Sequence, residues 1–347
     1  MTSSRLVLLA FAALLATAGA FWLSSQRHLD RAVNVSDPVL PQLRTALNDV
    51  AELRLSRGDG AVVTLQRGES GWSVGERRWP ADAGKLRKLL LDLSQLAIVE
   101  EKTHDAARYA VLGVEDVDGP QAGGVRIDVK TSHGAIHSLI IGKTSGARGV
   151  YVRAVGAEPS YLASPQVTTD TAPVRWLDTT LLDVPAEDIR TVTLLPRGRP
   201  ARTLEGAQLP PDLAAALVHL ALEDVRAAAL EPATPPGKTT DTAVPRLRFT
   251  SWDGRIIELE GREDGTRRWI RIAASFDSSA ARPRPDTSAD DAKDEDATSP
   301  AAPTPASITP TADPREQIVT LARRTDGREF EIPAYRYATL FNNPVAR

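Results

Sequence analysis

Val125 to Arg153 reads VRIDVKTSHGAIHSLIIGKTSGARGVYVR, and Pro245 to Arg271 reads PRLRFTSWDGRIIELEGREDGTRRWIR. Superimposed with a two-residue deletion in the second, they put Gly134 on Gly254, Leu139 on Leu259 and Tyr151-Val152-Arg153 on Trp269-Ile270-Arg271. Val125, Ile127 and Val129 alternate with polar residues, the period of two of a strand that buries one face. Ser132-His133-Gly134 and Trp252-Asp253-Gly254 then supply turns, Asp-Gly being a strong hairpin signal. Upstream, Trp79-Pro80-Ala81-Asp82 matches Leu209-Pro210-Pro211-Asp212, each opening a leucine- or alanine-rich stretch that reads as a helix. Recurrence at a spacing of about 120 to 130 residues is the mark of an internal duplication; chance similarity between two amphipathic hairpins is the competing explanation.

Within the first copy, Leu86, Leu89, Leu90, Leu93 and Leu96 form an apolar helical stripe opposite Lys85, Arg87, Lys88, Asp92 and Gln95, with Asp82 placed to cap the helix. Each copy therefore reads as strands, one helix, then more strands. Tyr161 to Val167 closes the first copy, and Phe330-Glu331-Ile332 through Leu340 returns to close the second. The expected fold class is α+β: an N-terminal transmembrane helix followed by two similar modules, each a mainly antiparallel sheet with a helix on one face.

The membrane segment is the uncharged run Leu6 to Leu23, preceded by Arg5. As a helix it spans about 27 Å, close to the ~30 Å hydrocarbon core, with Phe21 and Trp22 at the far interface. A cleaved signal peptide is the alternative, because Ala18-Gly19-Ala20 has the small-x-small form of a cleavage site. Either way the bulk of the chain is exported, and Arg5 on the inside predicts a single-pass inner-membrane protein with an extracytoplasmic body. From Phe276 to Pro314 the composition turns to Pro, Ala, Ser, Thr and Asp, with Arg282, Arg284 and Lys293 against eight Asp and Glu, and reads as a disordered insertion. The resulting division is 1–23 anchor, 24–47 juxtamembrane segment, 48–180 first repeat, 186–275 plus 315–343 second repeat, and 276–314 insertion.

Composition narrows the chemistry. Forty-two Lys and Arg against 45 Asp and Glu leave a net charge of −3, so no basic field recruits nucleic acid. With no cysteine, disulfides, thiolate zinc sites, iron-sulfur clusters and thiol nucleophiles are excluded. Gly142-Lys143-Thr144 resembles the end of a phosphate loop, but His137 stands where that loop needs glycine, and a hairpin rather than a helix follows. His133 and His137 have metal-like spacing across a turn, with no third ligand near in sequence. No cofactor is expected and no catalytic residue is singled out.

Leu53-Arg54-Leu55, Trp72-Ser73-Val74, Trp79-Pro80-Ala81-Asp82, Tyr109-Ala110-Val111-Leu112-Gly113, Ile141-Gly142-Lys143, Val150-Tyr151-Val152-Arg153 and Trp176-Leu177-Asp178, in that order, resemble the bacterial domain of unknown function 4340 over about residues 48 to 260. The resemblance implies a membrane-anchored envelope protein without assigned activity, often encoded near an export-type ABC transporter and a gliding-motility-like auxiliary protein. It carries over no catalytic residues. The expected function is thus a non-enzymatic, membrane-anchored interaction module of an ABC-type transport system, with an envelope glycan- or lipid-binding protein as the alternative. Tyr151, Arg153, Trp269 and Arg271, equivalent between the copies, are the expected partner contacts.

Overall fold

The computed structural model describes residues 37–146, 149–195, 200–228, 244–284 and 313–342. The chain divides after Trp176 into two compact units. Among the described residues no helix is long and apolar enough to cross a membrane. The expected span at Leu6 to Leu23 lies outside them.

Unit 1 begins with α1 (Pro41–Ala46), β1 (Val50–Arg57), β2 (Val62–Gly68), β3 (Gly71–Val74) and β4 (Trp79–Pro80). There follow α2 (Ala83–Gln95), β5 (Ala97–Thr103), the single turn α3 (Tyr109–Leu112), β6 (Val125–Thr131), β7 (Ile136–Thr144), β8 (Val150–Ala154) and β9 (Ser160–Ser164). All nine strands join one antiparallel sheet in the order β4-β3-β2-β1-β6-β7-β8-β9-β5. Alternate residues Leu53, Leu55, Ile127, Val129 and Leu139 are buried, as are Leu86, Leu89 and Leu93 of α2. Each buried leucine contributes about 1.5–3 kcal/mol of transfer free energy. Asp82 caps α2 as expected, its Oδ1 accepting from Gly84 N at 2.9 Å and Lys85 N at 3.0 Å. Asp92 departs from the expected solvated face: it is buried and accepts from Lys88 Nζ at 2.7 Å.

Unit 2 holds β10 (Thr180–Leu182), β11 (Ile189–Leu195), β12 (Arg202–Glu205), the one-turn α4 (Pro211–Ala214), β13 (Leu220–Ala221), β14 (Asp224–Ala227), β15 (Arg246–Ser251), β16 (Arg255–Asp264) and β17 (Arg267–Phe276). It ends with α5 (Pro314–Thr325), β18 (Arg328–Glu331) and α6 (Ala334–Phe341). Its main sheet runs β12-β11-β15-β16-β17-β18-β14, while β10 pairs with β13.

The first sheet without β3 and β4 has the order β2-β1-β6-β7-β8-β9-β5, and the second repeats it strand for strand. The register repeats too. Val50 faces Thr131 beside a bulge, as Ile189 faces Ser251 beside a bulge. Ile140 opposes Arg153, and Glu260 opposes Arg271. Gly134 and Gly254, the aligned turn glycines, have φ of 84° and 90°, where a side chain would be strained.

Three expectations need correction. The helix of the second copy shrinks to α4 and a 3-10 turn at Ala215–Leu217, because Leu220 already enters β13 and only Leu213, Ala216 and Leu217 are buried there. Two further helices, α5 and α6, were not anticipated. Phe341 of α6 lies where a Cβ on Gly261 would come within 2.7 Å of its ring, so that glycine makes room for the helix. The insertion is also narrower than 276–314. Phe276 ends β17, Asp277 N donates to Gly254 O at 2.9 Å, Arg282 N donates to Trp252 O at 2.8 Å, and Asp313 caps α5. The rest of the expected disordered stretch, 285–312, lies outside the described residues.

Candidate functional site

The residues expected to meet a partner are mostly interior. Arg153 is 3% exposed, its Nε donating to Val114 O at 2.7 Å, one terminal nitrogen to Ala157 O at 3.0 Å, and the other pairing with Asp116 at 2.6 Å. Its guanidinium lies 4.6 Å above the Tyr109 ring. Trp269 is 1% exposed, with Arg226 and Arg267 stacked at 3.8 and 4.7 Å from its centroid. Arg271 is half-buried and donates to Glu329 at 2.9 and 3.0 Å. Glu329, itself buried, also accepts from Arg226 at 3.0 Å and Arg262 at 3.3 Å. Tyr151 is half-buried and packs against the cluster of Tyr109, Val114 and Ile140. Desolvating an arginine costs several kcal/mol unless carbonyls or carboxylates satisfy it, and these positions supply such partners internally. Arg153 and Trp269 are therefore withdrawn from the surface.

The other motif residues form a brace on unit 1. α3 lies across β7, where a Cβ on Gly142 would sit 2.4 Å from Leu112 O and 2.8 Å from Gly113 O. Gly113 has φ 71°, the left-handed cap that ends α3. Lys143 Nζ donates to Ala110 O at 3.3 Å and Val111 O at 2.9 Å, so the lysine of the false phosphate loop caps helix carbonyls. At the other end of the unit, Asp82 N donates to Trp176 O at 2.8 Å, Ala81 N to Trp72 O at 2.9 Å, and Trp176 Nε1 to Asp170 O at 2.8 Å. These aromatic and glycine motifs build the module.

A surface feature remains on unit 1, between α2, the β2–β3 hairpin and the turn after α1. It is a groove of about 400 Å³ whose lining includes Trp72, Leu86, Leu90 and Leu91, with Arg67 and Arg87 at its edges. Leu91 is 46% exposed, one of the few large apolar side chains of the described residues left in solvent. Arg67 donates to Asn48 O at 2.7 Å, which holds its guanidinium across the lip. Among the described residues no carboxylate lines the groove. The equivalent stretch of unit 2 is the single turn α4, too short to present such a face.

The model of a family described as a domain of unknown function, DUF4340, matches residues 72–251 of the chain, more than half its length. The chain belongs to this family. No curated protein and no solved structure matches it. The DUF4340 match takes in α2 with Trp72, Leu90, Leu91 and Arg87 of the groove, whereas Arg67 and the turn after α1 precede it. It also runs through the unit boundary to the end of β15, so it spans the brace of unit 1 and the first strands of unit 2. His133 and His137 lie in the β6–β7 turn and on β7, and among the described residues no group of three His, Asp or Glu could hold a metal ion.

The groove was missed because a leucine stripe on a helix next to a sheet reads as core. One signal was available. Leu89-Leu90-Leu91 places three consecutive leucines at about 100° intervals, an apolar arc wider than one sheet face covers, so one edge of it is left in solvent.

Proposed function

We propose that this DUF4340 protein is a non-enzymatic, membrane-anchored envelope protein that acts as an interaction module of an ABC-type transport system. The observation that carries the reading is the groove of unit 1: an apolar floor on rigid elements, with tryptophan and two arginines, the residue types that dominate protein-protein hot spots. The Leu6 to Leu23 run supports a single inner-membrane span with the two units outside the cytoplasm. The transporter as partner rests on the family resemblance.

Purifying the full-length protein from native membranes in mild detergent, with mass spectrometry of what accompanies it, tests the reading. It predicts a transport-system protein enriched with the wild type and lost with Leu91→Glu, which places a charge on the apolar lip without touching the buried core. Enrichment of lipid or glycan with no protein would instead favour the ligand-binding alternative. A reporter at the C-terminus that proves cytoplasmic would overturn the proposed topology.

A further inference from the structure

The cations around α2 are not equivalent. Lys85 pairs with Asp82 at 3.5 Å and donates to Arg175 O at 2.9 Å, and Lys88 pairs with Asp92 at 2.7 Å. Across unit 2, Arg246, Arg248, Arg255, Arg262 and Arg267 each meet a carboxylate. Arg87 and Arg67 are both exposed and both on the groove, and among the described residues neither has a carboxylate within ion-pair distance, a property they share with other surface arginines such as Arg44, Arg78, Arg202 and Arg315. What sets them apart is that they line one apolar groove, where Arg67 spends one N–H on a backbone carbonyl. An apolar trough is thus lined by two arginines whose counter-charge no described residue of the unit provides.

We propose that this groove takes a segment of a partner protein in which an apolar side chain is flanked by Asp or Glu. The inference rests on the protein-contact reading above and names the chemistry of that contact. The apolar side chain would displace water from Trp72, Leu86 and Leu90, with Leu91 closing over it. The flanking carboxylates would accept hydrogen bonds from Arg67 and Arg87, whose planar forks suit a carboxylate in a way a lysine ammonium does not. A basic segment is disfavoured by the same two charges.

Site-specific photo-crosslinking tests this in the full-length protein within native membranes, with a photoreactive residue at Ala83, an exposed position on the groove rim. Sequencing the adduct by mass spectrometry should return a peptide with an apolar residue next to acidic ones. The adduct should fall about tenfold with R67E/R87E, as charge reversal at an electrostatically matched contact demands. Both arginines are exposed, so that variant keeps its fold, which circular dichroism checks. A lipid adduct, or a peptide without acidic residues, overturns the proposal. So does an adduct insensitive to R67E/R87E, or no adduct while a partner still co-purifies. If no partner co-purifies at all, the protein-contact reading fails with it.

Discussion

Replacing Arg153 by leucine would strip partners from Val114 O and Ala157 O and leave Asp116 unpaired in the brace of unit 1. A buried acceptor at Val114 and a partly buried one at Ala157 left unsatisfied, together with the lost stacking on Tyr109, predict a cost of about 3 kcal/mol, measurable by urea unfolding. Arg87→Ala on the exposed face of α2 should stay within about 0.5 kcal/mol. Equal effects of the two would contradict the assignment of one arginine to the interior and the other to a binding rim. Asp82 gives a third contrast. Its carboxylate is held below the ordinary aspartate range, first by the hydrogen bond from Lys85 N, with burial opposing. The lowered value means that its contribution is present above the unfolded pKa and is lost as pH falls through the folded one. Asp82→Ala should cost about 1 kcal/mol at neutral pH and progressively less below about pH 4.

The elements show what the sequence could and could not disclose. Period-two alternation and the Asp-Gly turn made β6, β15 and β16 legible, since a strand with one buried face must alternate. The leucine stripe and Asp82 did the same for α2. The helix α5 was hidden because Asp313 and Pro314, its cap and first residue, look like the end of the Pro-rich stretch before them. Arg153 was misplaced because a polar residue on a strand's second face reads as solvated, and nothing local announces that the β5–β6 connection will cover it; Trp269 was misplaced because nothing local announces that Arg226 and Arg267 will stack on its ring. Two variants test this element-level picture. Gly142→Ala should destabilise unit 1 by about 1–3 kcal/mol, since a methyl cannot share space with Leu112 O. Glu329→Gln should cost about 1–3 kcal/mol by leaving the partly exposed Arg226, Arg262 and Arg271 around a neutral amide, with Asp264 still paired to Arg226. On α6, the Tyr337 hydroxyl is pushed up to about 12, chiefly by burial, with Glu263 adding to the shift and Arg268 opposing it. A raised value keeps stability intact below the ordinary tyrosine range near 10 and loses it as pH climbs towards 12. Tyr337→Phe should flatten that alkaline decline in a pH series of thermal unfolding, and an unchanged slope would assign the decline to another group.

At the scale of the molecule, one sheet design occurs twice with the same strand order and register, and the two units differ in what surrounds it. Unit 1 carries the full helix α2 and a brace, with an apolar edge at the groove. Unit 2 carries one turn at the equivalent place and an arginine-carboxylate network around Glu329 and Trp269. In the proposed function, contact with the partner is made by the first copy alone, through the α2 face. Hydrogen exchange of the full-length protein, free and in the complex isolated from native membranes, tests it most directly. Protection should rise on α2 and the β2–β3 hairpin and stay unchanged at α4 and along β14 to β18; protection gained on the strands of unit 2, with α2 unaltered, would rule out a contact through α2.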